Sequence, residues 1–279
     1  MKTSTSKRLR WNVAIWLAAG LFMTGASGMA SGPIMPDPKA EARHQPQVEE
    51  TANGISLVNI TAPSSGGVSR NEYETFNVPD KGAILNNSYT LSKTELAGYV
   101  QGNNNMAERP AKIIVNEVTG AGSTSMDGFL EVAGNRADVV IANPNGITVN
   151  GGGFINTGKA FLTTGKPVYD GEDHLQRFDI TGGDILIEGK GLGGKETGSL
   201  AILSRAVKIN AGIWAKDLHI TTGANTVDAK TLEASAIEGK GERPAFALDT
   251  AAIGGMYAGR ITLVGTEKGL GVNLSLIHI

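Results

Sequence analysis

Apolar and polar residues alternate along most of this chain in short runs, and residues typical of turns close each run. The alternation is clear over residues 54–60 and 71–78, and residues 112–118 form a further strand-like run; all three are too short for typical helices. A period of two in runs bounded by Gly, Pro, Asn and Ser predicts β-strands. Residues 90–101 are the best helix candidate, although their apolar residues lie at mixed spacing.

The clearest local signal is the tetrapeptide Asn143-Pro144-Asn145-Gly146, which two β-type runs flank. Pro144 presets φ at the second turn position, Asn145 is tolerated at the third, and Gly146 can take a positive φ. The side chain of Asn143 can hydrogen-bond forward onto the turn backbone. A tight turn that reverses the chain is therefore predicted. The apolar run 139–141 before it suits a strand buried on both faces.

After this turn the chain repeats a pattern of an aliphatic residue, Thr or Asn, a small residue and Gly. The copies begin at Ile155, Leu162, Ile180, Ile209 and Ile220. Self-similarity of this kind predicts a solenoid. The spacing is irregular, so insertions such as residues 167–177 are expected to leave the repeating body as loops.

A single coil of such a solenoid cannot be stable, because ordering its backbone costs about 1–2 kcal/mol per residue. Stacked coils share a core and ladder hydrogen bonds, and Asn or Thr at matching positions can form side-chain ladders. The predicted fold is all-β, a right-handed parallel β-helix. A β-sandwich is the alternative if hairpins dominate the early part of the chain.

The first residues have a different character. Residues 1–30 combine a basic start, an apolar core over residues 11–23 and small residues suited to cleavage after Ala30, which predicts a secretory signal peptide. The apolar core is shorter than the roughly 20 residues that a membrane-spanning helix needs. Residues 31–52 are rich in proline and charge, so a disordered spacer is predicted there.

Composition refines this picture. Glycine accounts for 38 of the 279 residues and aromatic residues for 5%, which favours strands and tight turns over helices. The chain contains no cysteine, so an exported form would be stabilised without disulfides. The formal charge of −2 lacks the excess of basic residues that is typical of nucleic-acid-binding proteins, so no nucleic-acid partner is expected.

Residues that could carry catalysis or bind a metal are scattered along the sequence. The four histidines are His44 in the predicted spacer, His174 in a charged loop, His219 in a strand and His278 in the tail. None is spaced with another His, Asp or Glu as a metal site or a catalytic triad would require. Glu172 and Asp173 beside His174 are interpreted as a solvated loop. No metal or cofactor is predicted.

Three carboxylates deserve a test, because some β-helix enzymes cleave polysaccharides with acidic residues on one sheet face. Asp179, Asp184 and Glu188 alternate with isoleucines, which fits the outward side of strands. The glycine-rich residues 189–195 lack the Gly-Lys-Ser/Thr ending of a phosphate-binding loop. The chain is therefore predicted not to be an enzyme, and a polysaccharide-active enzyme is the weakest alternative.

Over residues 53–225 the chain resembles the N-terminal secretion domain of two-partner secretion exoproteins, of the filamentous haemagglutinin and contact-dependent-inhibition type. The segments that carry the resemblance are Val58-Asn59-Ile60, Gly66-Gly67-Val68-Ser69, Phe76-Asn77-Val78, Leu85-Asn86-Asn87, Val115-Asn116-Glu117-Val118, Ala142-Asn143-Pro144-Asn145-Gly146-Ile147 and Phe161-Leu162-Thr163-Thr164-Gly165. So many ordered matches are specific to the family.

The resemblance implies two secretion motifs. The family's NPNG motif falls on residues 143–146. Its NPNL motif falls on Asn103-Asn104-Asn105-Met106, where Asn104 replaces proline and Met106 replaces leucine. Both outer asparagines of this second motif remain, and the rigidity of its loop is the open question.

The resemblance also implies a secretion signal for a much larger protein. Such chains cross the inner membrane by the general export route and engage the POTRA domains of a dedicated outer-membrane transporter. They then fold at the cell surface or are released, as part of an adhesin or a contact-dependent growth inhibition effector. Host or neighbouring-cell receptors are further possible partners. The alternative from another class is a self-contained adhesin that binds glycans.

The resemblance sets the domain boundaries as well. Residues 53–245 are expected to form the secretion domain, and residues 246–274 look like the start of the filamentous repeats that follow it in the family. Residues 275–279 fit no repeat and are interpreted as a truncation or a non-native tail.

Overall fold

The fold is described from a computed structural model, which covers residues 32–107, 109–194, 196–251 and 254–274. The predicted signal peptide, residues 1–30, and the predicted tail, residues 275–279, lie outside these ranges. Within them, no helix is both long enough and apolar enough to cross a membrane.

The described residues form 26 β-strands and two short 3-10 helices. The strands up to the tetrapeptide are β1 (Ile34–Pro36), β2 (Gln47–Glu50), β3 (Ser56–Asn59), β4 (Val68–Phe76), β5 (Ala83–Asn87), β6 (Ser92–Thr94), β7 (Gly98–Val100), β8 (Ile113–Val118), β9 (Thr124–Met126), β10 (Phe129–Gly134) and β11 (Ala137–Ala142). The strands after it are β12 (Ile147–Val149), β13 (Gly152–Ile155), β14 (Thr157–Thr163), β15 (Lys166–Tyr169), β16 (Leu175–Ile180), β17 (Asp184–Ile187), β18 (Leu192–Gly194), β19 (Ser199–Ser204), β20 (Ala206–Ile209), β21 (Gly212–Thr222), β22 (Asn225–Asp228), β23 (Ala234–Ala236), β24 (Phe246–Thr250), β25 (Gly255–Gly265) and β26 (Gly271–Leu274). The helices are Ala42–His44 and Asn104–Met106.

Most strands belong to three parallel stacks that surround one core. The first face contains β3, β5, β10, β13, β18 and the first halves of β21 and β25. The second face contains β4, β8, β11, β14, β19 and the second halves of β21 and β25. The third face contains β9, β12, β17, β20, β24 and β26. Each coil passes through the first, second and third face in turn, which confirms the predicted parallel β-helix, right-handed as parallel crossovers almost always are.

In-register rows of aliphatic side chains fill the interior. On the third face Ile147 pairs with Ile185, Ile185 with Val207, and Val207 with Leu248, and all four are buried. A coil on its own would leave such side chains open to water above and below. Apolar burial is therefore completed only between neighbouring coils, as expected for a solenoid.

Two antiparallel strands close the N-terminal end of the β-helix. Strand β1 pairs with β4, and β2 pairs with β3. Ile34 and His44 are buried there. The prediction of a disordered spacer over residues 31–52 is thus wrong for the described residues 32–52. The prolines end short edge strands and turns, which proline tolerates, and the few apolar residues suffice to dock this cap on the first coil.

Residues 90–101 form a hairpin of β6 and β7 instead of the predicted helix. The carboxylate of Glu131 accepts hydrogen bonds from the backbone N–H groups of Glu95 (2.7 Å) and Leu96 (2.9 Å) at the tip of this hairpin. Gly98 takes a positive φ, which a helix would not allow. The contact with Glu131, which lies far along the chain, therefore determines that this segment forms a hairpin.

A separate sheet covers the outer side of the second face. It has the order β15-β16-β22-β23 and is antiparallel. Phe178 and Val227 from this sheet pack with Val140 and Phe161 from the second face. This cover explains the uninterrupted apolar run 139–141. The inserted residues 167–177 leave the repeating body as predicted, but mostly as paired strands and not as a loop.

Side-chain ladders between coils are present as well. The Nδ2 of Asn86 donates to Oδ1 of Asn59, one coil earlier, at 2.8 Å. Thr164 and Ser204 approach within 3.2 Å through their hydroxyl oxygens on the second face. These contacts agree with the predicted role of Asn and Thr at matching positions.

Truncating Leu203 to alanine tests whether the cover sheet is packed. Leu203 is fully buried on the outer side of the second face, so Leu203→Ala should lower the free energy of unfolding by about 2–5 kcal/mol. The matched change Leu91→Ala, at a side chain that is 57% exposed, should cost less than about 0.5 kcal/mol. Guanidinium denaturation followed by Trp214 emission measures both. Equal effects would mean that the cover sheet is loose.

Candidate functional site

The tetrapeptide Asn143–Gly146 forms the tight turn that the sequence predicts. The N–H of Gly146 donates to the carbonyl of Asn143 at 3.1 Å, and the N–H of Asn145 donates to Oδ1 of Asn143 at 2.9 Å. Gly146 has a φ of 112°. The turn does not reverse the chain into a hairpin, however. Strands β11 and β12 pair with different neighbours, so the turn is a corner between the second and third faces.

The same corner attaches its coil to the coil before it. The Nδ2 of Asn143 donates to the carbonyl of Gly122 at 2.9 Å and to Oγ1 of Thr124 at 3.0 Å. The Nδ2 of Asn145 donates to the carbonyl of Gly120 at 2.8 Å. Asn143 is fully buried. Its amide therefore satisfies the buried hydroxyl of Thr124 and one backbone carbonyl of the preceding coil.

The second motif, residues 103–106, has the same local geometry without a proline. The N–H of Asn105 donates to Oδ1 of Asn103 at 2.9 Å, and the N–H of Met106 donates to the carbonyl of Asn103 at 3.1 Å. Met106 is fully buried in the core. Asn104 is thus compatible with the turn.

The second motif also reaches back along the chain. The Nδ2 of Asn103 donates to the carbonyls of Ile60 (2.8 Å) and Asn86 (3.0 Å), and Nδ2 of Asn105 donates to Ile60 at 3.1 Å. Ile60 belongs to the first coil, whereas Asn86 belongs to the coil that contains the motif. The two motifs lie at different corners of the β-helix but make equivalent contacts. We call them the asparagine corners.

A buried charged cluster lies near the N-terminal end of the second face. The guanidinium of Arg70 is 2.9 Å from Glu72 and 3.4 Å from Glu117, and it lies 4.4 Å from the centroid of the Tyr169 ring. Burial raises the pKa of Glu117, an effect that Arg70 partly offsets. Arg70 therefore links two coils to the cover sheet.

The N-terminal cap joins this cluster. Nδ1 of His44 lies 3.0 Å from Glu72, and the guanidinium of Arg43 lies 2.8 Å from Asp173. Asp173 is therefore not part of a solvated loop as predicted, because it forms an ion pair with the cap. Sequence reasoning did not predict these contacts, because no motif marks them and Arg43 and Asp173 are 130 residues apart.

The other candidate residues do not converge on a site. Asp179 forms an ion pair with Arg177 at 2.8 Å, Asp184 is exposed, and Nε2 of His219 contacts the hydroxyl of Thr221. His174 pairs with Asp170 in its hairpin, and His278 lies outside the described residues. Among the residues that the structure describes, no group of three or more His, Asp or Glu could hold a metal ion. Gly189 and Gly191 form a corner with positive φ.

The asparagine corner at residue 143 can be tested by truncation. Asn143→Ala should lower the free energy of unfolding by about 1–3 kcal/mol, because it removes the hydrogen bond to Gly122 and leaves the buried hydroxyl of Thr124 without its partner. Asn145→Ala should cost less, since Asn145 is exposed and water can replace its amide. Guanidinium denaturation compares the two variants. A larger cost for Asn145→Ala would contradict this assignment.

Two matched carboxyl-to-amide variants test the electrostatics. Hydrogen bonds from Arg205 lower the pKa of Glu267, so its stabilising effect is present above its unfolded pKa and is lost as the pH falls through the folded pKa. The pKa of Glu117 is raised, so the pH dependence is opposite: the neutral carboxyl group is favoured in the folded protein, and this contribution to stability is lost as the pH rises and the group ionises.

Unfolding free energies measured across the acid range should therefore move in opposite directions. As the pH rises, the free energy of unfolding of Glu117→Gln should increase relative to that of the wild type. The free energy of unfolding of Glu267→Gln should decrease relative to that of the wild type. The same trend for both variants would show that Glu117 is solvated in the folded protein.

Comparisons with known proteins agree with this geometry. The family model named TPS secretion domain matches residues 33–278. The chain is 47% identical over 254 residues to "16S rRNA endonuclease CdiA" of Enterobacter cloacae, which covers 90% of this chain and 8% of that protein. It is also 47% identical over 246 residues to "Toxin CdiA" of Yersinia pestis, with coverages of 88% and 7%. The chain thus spans less than a tenth of these curated relatives.

A solved structure provides a second comparison. The crystal structure of a filamentous hemagglutinin secretion domain superimposes with a TM-score of 0.78 at 34% sequence identity, over 86% of this chain and 81% of that one. The family model begins at residue 33, so the cap strands fall within its match. On the evidence of the β-helix, its asparagine corners and these comparisons, the chain belongs to the TPS secretion domain family of two-partner secretion exoproteins.

Proposed function

We propose that this domain is the secretion signal of a large exoprotein, recognised by the POTRA domains of a cognate outer-membrane transporter. In this proposal residues 1–30 direct general export across the inner membrane, and the protein ends at the cell surface or in the medium. The domain itself catalyses no reaction. The observation that carries the proposal is that each asparagine corner attaches its coil to the preceding coil.

This attachment suits a chain that emerges from the transporter with its N-terminal coils first. A new coil needs only its predecessor as a template, because the corner amides find their acceptors there. Asn103 and Asn105 bind the second coil to the first, and Asn143 and Asn145 bind the third to the second. Each added coil also buries apolar side chains, which would disfavour a return of the chain into the transporter.

The parent protein is, in this proposal, a contact-dependent growth inhibition effector and not an adhesin. Identity to the two proteins named CdiA is 47%, compared with 34% to the filamentous hemagglutinin domain. A toxic activity would lie outside this domain. Strands β24, β25 and β26 continue the coils in register and lie within the match to the family model, so we assign them to the secretion domain and not to the filamentous repeats expected from the sequence.

Secretion by a Gram-negative host that makes the cognate transporter tests the proposal. Asn103→Ala and Asn143→Ala should each reduce the amount of protein in the medium, and the double variant should reduce it at least tenfold. The reason is that coils which do not attach to one another leave the chain free to slip back. Asn53→Ala, at an exposed asparagine outside both corners, is the matched control.

Two further measurements make the result specific. Export of the wild type should stop when the transporter gene is deleted. Trp214 emission should show that the purified variants still fold, so that lost secretion does not reflect a failure to fold. The proposal fails if the double variant is secreted at the wild-type level, or if export does not need the transporter.

A further inference from the structure

The outer side of the first face carries an in-register row with aromatic residues at its ends and glycines between them. The row is Phe129 on β10, Gly153 on β13, Gly193 on β18, Trp214 on β21 and Tyr257 on β25. Phe129 is 43% exposed and Tyr257 is 59% exposed. Because two successive strands lack a side chain in this row, a recess opens between Phe129 and Trp214.

The recess is a cleft of about 310 Å³, lined by Phe129, Phe154, Gly193, Glu196 and Trp214. The ring of Phe129 lies over Gly153, where an added Cβ would come within 2.4 Å of it. On the opposite side the rings of Trp214 and Tyr257 are stacked, with centroids 5.8 Å apart and planes 12° apart. Tyr257 thus supports one face of the indole, and Trp214 presents its ring to the cleft.

The cleft opens into a longer groove of about 1500 Å³ beside the β6–β7 hairpin. The two cavities share Phe129, Phe154 and Glu196. Glu131 fixes the hairpin that forms the far wall, through its hydrogen bonds to Glu95 and Leu96. The combined site runs from Trp214 on β21 across β18, β13 and β10 to the β6–β7 hairpin, which suits a chain-like ligand more than a compact one.

The chemistry of the lining selects the class of ligand. Every strand of the first face from β5 to β21 is paired on both sides, so the groove offers no free strand edge to an extended polypeptide. Its charges are mixed: Lys93 and Arg136 stand against Glu95, Glu131 and Glu196, and Arg136 already donates to the carbonyl of Glu196. The groove therefore complements neither a polyanion nor a polycation.

We propose that this aromatic groove binds a neutral polysaccharide chain. Sugar rings present apolar C–H faces that stack on an indole, and their hydroxyl groups bond to amide, carboxylate and guanidinium groups at the rim. Trp214 supplies the stacking platform, and Gly193 supplies the space for a ring above the sheet. Asn156, Arg136 and Glu196 supply polar groups along the groove. This assignment does not depend on the proposed transporter.

An array of neutral hexose and N-acetylhexosamine oligosaccharides, probed with the secreted protein, tests the proposal. The wild type should bind at least one oligosaccharide and show a change in Trp214 emission, because Trp214 is the only tryptophan after residue 30. Trp214→Ala should weaken binding at least tenfold.

Gly193→Val provides a variant that fills the cleft without disturbing the fold. A Cβ at Gly193 meets no heavy atom closer than 3.7 Å, and valine suits a strand. It should be secreted normally and lose binding at least tenfold. Gly171→Val, where an added Cβ meets nothing within 4 Å, is the matched control and should bind as the wild type does.

Three results would overturn the proposal. The first is a wild type that binds no neutral oligosaccharide on the array. The second is undiminished binding by Gly193→Val. The third is a photo-crosslinker at position 129 that captures a protein partner of the bacterial envelope, with capture lost in Gly193→Val, since that would make the groove a protein-docking site.

Discussion

Burial of apolar surface between successive coils is the constraint on which this structure depends. No coil encloses its own side chains, since rows such as Ile147, Ile185 and Val207 are covered only when neighbours stack in register. A slip of one residue would turn each row outward. The asparagine corners prevent such a slip, because the amides of Asn103 and Asn143 fit carbonyls at one position of the adjacent coil. Packing supplies the free energy, and the corners set the register.

The ends and outer faces of the β-helix follow from the same constraint. The antiparallel strands β1 and β2 cover the first coil, and each pairs with one strand of that coil and stands at an edge of the sheet. The outer side of the second face is apolar, and the β15-β16-β22-β23 sheet covers it. On the outer side of the first face, Phe129 and Tyr257 stay accessible. The sequential folding that we propose thus leaves one outer face free to carry the proposed ligand groove.

The sequence was sufficient for features that short-range chemistry determines. The turn at residues 143–146, the positive φ of Gly146 and the strands buried on both faces were all predicted from local residues. The hairpin at residues 90–101 was not, because Glu131 holds it from a distant strand. The cap over residues 32–52 was missed for a similar reason, since its composition looks disordered. The partners of His44 and Asp173, and the row from Phe129 to Tyr257, depend on coil register, which irregular insertions hide.

The central claim is that order spreads from the N-terminal coils toward the C-terminal ones. Pulse-labelled hydrogen exchange during refolding of the full chain measures this directly. The account predicts that amides of β4 and β8 become protected before those of β19 and β21, and that Asn143→Ala delays protection only for coils that follow the corner. Simultaneous protection of all coils, or protection that begins at β21, would contradict it.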